Sequence, residues 1–151
     1  MLIHLSRFLY LKKFDSFEYK FKDFEIFPND KFKQKYDSVV IPDEEHINII
    51  VSTTITNVCA EPKDILLEQF ILETDLWSSN IGLYTFMSLN QSINSTSITI
   101  NPGEDIHLIL PFNYIRLYDE EFSYELVSKK NFSLCFYMNY PQKAIVKLNN
   151  K

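Results

Sequence analysis

The chain has 151 residues, 46% of them hydrophobic and 23% charged, a balance that folds rather than staying disordered and that fits a single domain over 1–151. Its two glycines are too few for the Gly-rich loops that cradle phosphates or dinucleotides. The net charge of −5 repels polyanions overall, yet residues 1–36 carry eight Lys/Arg against five Asp/Glu and the remainder seven against fifteen, so an anion could meet only a local basic face.

The opening stretch, 1–14, shows no clean period and suits either an added edge strand or a short helix. It is interrupted by His4 and Arg7 and lacks a small-residue cleavage site, and no later stretch reaches the length of a membrane span, so the expected compartment is the cytoplasm. Residues 17–27 alternate as a strand, except that the aromatic phase slips between Phe21 and Phe24; a β-bulge at Lys22-Asp23 would absorb the slip. Residues 47–56 carry Ile47, Ile49, Val51, Thr53 and Ile55 on one face, the pattern of a half-buried strand. Segments 65–74 and 81–89 read as further strands.

Residues 95–100 and 106–110 form the best hairpin candidate, joined by Asn101-Pro102-Gly103-Glu104-Asp105, whose Pro-Gly pair suits a type II turn. Residues 119–127 could hold one helical turn capped by Asp119. Strands at 132–138 and 144–148, around a turn at 139–142, close the chain. Seven to nine short strands with little helix imply an all-β antiparallel sandwich with an N-terminal aromatic and basic extension. The expected core is Ile49, Val51, Ile55, Leu83, Met87, Ile106, Leu108, Leu134 and Phe136.

The run 49–57 followed by Ile98-Thr99-Ile100-Asn101-Pro102-Gly103-Glu104-Asp105 resembles the telokin-like immunoglobulin-fold domains of unknown function found on bacterial surface lipoproteins. There a similar strand precedes a Pro-Gly-Glu turn before a penultimate strand. The resemblance covers 47–148 and implies an immunoglobulin-like fold that binds or scaffolds rather than catalyses. The chain lacks a lipobox, and residues 1–36 have no counterpart in that layout.

No constellation points to catalysis or to a cofactor. His4, His46 and His107 lie far apart without a neighbour at ligand spacing, so no metal site is expected. The acidic clusters Asp43-Glu44-Glu45 and Asp119-Glu120-Glu121 read as exposed loops. Cys59 and Cys135 are expected to be separate thiols, and the sequons at Asn90, Asn94 and Asn131 are attributed to an Asn- and Ser-rich composition. The candidate binding surface lies in residues 1–36, which hold ten of the 23 aromatics, interleaved with lysines as Tyr19, Lys20, Phe21, Lys22 and as Phe32, Lys33, Tyr36. Outward rings there would dock another protein or a second copy. The alternative is single-stranded nucleic acid, whose bases stack on rings while lysines follow phosphates. Against both stands an edge strand whose lysines simply face solvent.

Overall fold

The structure is a computed structural model that describes residues 2–5, 10–14, 16–36, 46–75, 77–115, 123–139 and 142–148. Its strands are β1 (Leu2–Leu5), β2 (Tyr10–Phe14), β3 (Phe17–Phe27), β4 (His46–Asn57), β5 (Lys63–Leu66), β6 (Phe70–Glu73), β7 (Ser78–Asn80), β8 (Ser97–Ile100), β9 (Asp105–Ile115), β10 (Phe132–Asn139) and β11 (Gln142–Leu148). Short helices α1 (Asn29–Lys35), α2 (Leu83–Leu89) and α3 (Tyr124–Ser128) lie between them, with a 3-10 turn at Leu67–Gln69.

The strands form a four-stranded sheet, β2-β3-β4-β9, and a five-stranded sheet, β1-β11-β10-β6-β7, with β5 and β8 as a separate pair. The architecture is an all-β sandwich. Its pairings are antiparallel apart from β1 with β11. Among the described residues eleven strands exceed the seven to nine expected, because residues 1–14 contribute two and residues 63–80 are divided among three.

Alternation sends one face of each sheet inward. From the four-stranded sheet come Phe17, Tyr19, Phe21, Ile49, Val51, Ile55, Leu108, Leu110 and Phe112; from the other come Phe70, Leu72, Phe132, Leu134, Phe136 and Val146, all buried. The two inner faces meet through rings. Phe136 lies 4.9 Å from Tyr19 and 5.7 Å from Phe21 between centroids, and Phe24 lies 5.9 Å from Phe132. Trp77, 4.7 Å from Tyr114 and edge-on to Phe132, closes one side.

The β3–β4 register slips between Phe21 and Asp23, so a bulge falls at Lys22 as the aromatic phase requires. Beyond it Phe24 and Ile26 take over the inward face and Phe27 turns outward. There Phe27, Phe32 of α1 and Ile50 form a second buried cluster, flanked by Tyr36, Leu89 of α2 and Ile109.

Three expectations are corrected. Residues 81–89 are not a strand: Ile81, Thr85, Phe86 and Asn90 are buried while Leu83 and Tyr84 face solvent, a helical spacing that a nine-residue alternating stretch also satisfies. Leu83 is therefore outside the core, and Met87 and Ile106 are only half-buried against it. Secondly, 95–100 and 106–110 do not form a hairpin. The turn is as expected, with Gly103 at φ +76° and the Glu104 N–H donating to the Asn101 carbonyl at 3.0 Å, but β8 pairs with β5 and β9 with β4. Thirdly, the last helix is capped by Ser123, whose Oγ accepts from the Leu126 N–H at 3.2 Å; Asp119 lies outside the described residues.

Candidate functional site

The lysine and aromatic segments do not form a stacking surface. Tyr19 is 7% exposed and Phe21 and Phe32 are fully buried, while Tyr36 is half-buried against Phe27 and Phe32. The alternation that suggested rings among cations is the inside and outside of a strand in β3 and the two faces of a helix in α1. Lys22 and Lys33 are exposed and Lys20 is half-buried, so the cations of the candidate set line the surface while its rings build the core. Lys35 is exposed, forms a 2.8 Å ion pair with Glu25 and lies 5.4 Å from the Phe27 ring centroid. The Glu25 hydrogen bond raises the Lys35 pKa above its ordinary value, and burial raises that of Tyr36.

Away from that second cluster, the outer face of the four-stranded sheet is polar. His107 Nδ1 is 3.3 Å from Thr54 Oγ1, and Thr56 Oγ1 donates to Asp105 at 2.6 Å. Desolvation, with Lys22 nearby, lowers the His107 pKa. Among the described residues no three His, Cys, Asp or Glu side chains gather as a metal would need, and no helix is long and apolar enough to cross a membrane. Neither Cys59 nor Cys135 is in a disulfide, and the first is partly accessible and the second buried.

An open cleft of about 260 Å³ lies where the chain passes from β7 to the edge of β9. Leu67, Ile81 and Leu83 supply its apolar wall, with Glu68, Asn80 and Thr96 around them. Leu67 and Ile81 are buried, whereas Leu83 is 48% exposed and the adjoining Tyr84 is 70% exposed. Local contacts brace this corner. The Gly82 N–H donates to the Pro111 carbonyl at 3.0 Å, and a Cβ at Gly82 would stand 3.2 Å from Asn113 Nδ2. At the other end of α2, Asn90 Nδ2 donates to the carbonyls of Phe86 and Ile109, and its Oδ1 accepts from the Ile109 N–H at 2.9 Å. The Asn90 amide is therefore engaged in the fold rather than presented as a sequon.

Pockets that enclose cofactors or drug-sized molecules run to about 300–1,000 Å³ and bury most of the ligand. This one is smaller and open, of a size to admit about one side chain. Sequence reasoning missed it because its lining comes from three separated stretches and because 81–89 read as a strand. The only local signal was Gly82 followed by Leu83-Tyr84.

No protein-family model matches the sequence, and neither does any curated protein. Solved structures are similar in fold. A conserved hypothetical protein from Bacillus anthracis aligns with a TM-score of 0.60 at 13% identity, over 91% of this chain and 92% of that one. The yjhA protein of Bacillus subtilis aligns with a TM-score of 0.57 at 12% identity, over 97% and 99%. The candidate lipoprotein ycdA of Bacillus subtilis aligns with a TM-score of 0.58 at 17% identity; 92% of this chain is covered, but it spans only 38% of ycdA. An uncharacterized β-sandwich protein from Clostridium difficile is also similar, so the likeness is one of β-sandwich fold.

Proposed function

We propose that this protein is a non-enzymatic interaction module that binds another protein at the corner formed by Leu83, Tyr84 and the adjoining cleft. The observation that carries the reading is the exposure of two large apolar side chains on a braced helix, beside an apolar notch of side-chain size. Aromatic and aliphatic anchors beside a desolvating pocket dominate the energetics of protein interfaces. The nucleic-acid alternative loses its platform, since Tyr19, Phe21 and Phe32 are buried and cannot stack on bases.

We also read the sandwich as immunoglobulin-like. In support, β6, β10 and β11 are neighbours in the manner of strands C, F and G, and β4 lies beside β9 as B lies beside E. The telokin-like resemblance gains from one contact: the Asn57 carbonyl accepts from the Gly103 N–H at 2.8 Å, so the two motifs meet in space.

A pull-down with the intact chain and with Tyr84→Ala tests the proposal. Substitution of an exposed side chain leaves stability within about 0.5 kcal/mol, so the variant should unfold like the parent and lose its protein partner. Undiminished capture by Tyr84→Ala contradicts the site, and capture abolished by nuclease contradicts the partner class.

A further inference from the structure

Resting on that docking site, we infer that the element it receives is a peptide segment pairing one apolar side chain with a lysine or arginine. The apolar group enters against Leu67, Ile81 and Leu83, and the cation lies beside Glu68. The cleft volume of about 260 Å³ limits entry to about one side chain, and its buried floor residues are apolar. Glu68 stands exposed on the rim, and among the described residues its carboxylate has no ion pair or hydrogen bond.

The stretch of chain that lines the cleft carries charge of one sign. Between Lys63 and Arg116 the sequence contains no Lys or Arg and six acids, Asp64, Glu68, Glu73, Asp75, Glu104 and Asp105. All six residues lining the cleft come from that stretch. A cation approaching Glu68 therefore meets no competing cation from the cleft walls, and an acidic peptide meets repulsion. Rim charges act mainly on specificity and encounter rate, while the buried apolar group supplies the affinity.

The test pans a phage-displayed random dodecapeptide library against the full chain and titrates the enriched peptides, made synthetically, by fluorescence anisotropy. Enriched peptides should carry an aliphatic or aromatic residue within two positions of Lys or Arg. Their Kd should rise about tenfold on Glu68→Lys, and a peptide with the cation changed to Glu should recover binding to that variant. Enriched peptides without a basic residue, indifference to Glu68→Lys, or no enrichment overturns the inference. Peptides lost on Tyr84→Ala yet indifferent to Glu68→Lys overturn it while leaving the docking site standing. Peptides indifferent to both variants overturn the two together. A concentration-dependent dimer that Tyr84→Ala dissolves would identify a second copy as the occupant and also overturn it.

Discussion

Asn57 ties the end of β4 and the loop after it to a turn distant in sequence. Its side chain is fully buried, and its Nδ2 donates to the carbonyls of Glu61 at 2.8 Å and Ile100 at 2.7 Å while its Oδ1 accepts from the Cys59 N–H. Its backbone N–H and carbonyl bind Glu104 and Gly103 across the type II turn. One residue thus fixes the end of β4, the following loop and the start of β9. Asn57→Ala leaves two carbonyls and one N–H without that partner, and each unsatisfied buried group costs about 1–3 kcal/mol with partial relief from water. Urea unfolding should show a loss of about 3 kcal/mol; a change below about 0.5 kcal/mol contradicts this account. The sequence carried the turn itself, because Pro102-Gly103 is local chemistry. It carried nothing of Asn57's partners, which are set by how β4, β5, β8 and β9 meet.

At the scale of elements, α2 protects an edge. β9 ends the four-stranded sheet, and a bare edge invites pairing with other chains. Pro111 removes one donor there, Gly82 takes its carbonyl, and the Asn90 amide occupies both backbone groups of Ile109 as a neighbouring strand would. Asn90→Ala should therefore speed hydrogen exchange at the Ile109 amide and lower stability by about 2 kcal/mol. Unaltered exchange at Ile109 would refute the edge-cover role. This element is where reading by periodicity failed. Residues 81–89 alternate, but the burial of Ile81, Thr85, Phe86 and Asn90 follows a helix that docks on β9, and that tertiary contact overrides a short alternating pattern. Long strands were legible for the opposite reason. In β3 and β4 the alternation runs through 11 and 12 residues, enough to specify the strands and even the bulge at Lys22.

On the scale of the whole molecule, β3 and α1 contribute to the core. Phe17, Tyr19 and Phe21 pack against the five-stranded sheet, and Phe32 closes the cluster on the opposite face of the four-stranded one. An alternating strand announces two faces without saying which is solvent, so Tyr19 and Phe21 read either as a binding surface or as an interior. The candidate site was illegible for a related reason: Leu67, Glu68, Asn80, Ile81, Leu83 and Thr96 converge only in the fold. The rings of β3 and α1 thus hold the sandwich together, and Tyr84 is the ring proposed for recognition. Equilibrium unfolding of Phe21→Ala tests that division most directly. Removing a fully buried phenylalanine costs about 3–5 kcal/mol, a large part of the roughly 5–15 kcal/mol that stabilises a domain, so the midpoint should fall steeply. A Phe21→Ala protein that unfolds at the parent's midpoint would place that ring on the surface and contradict the account.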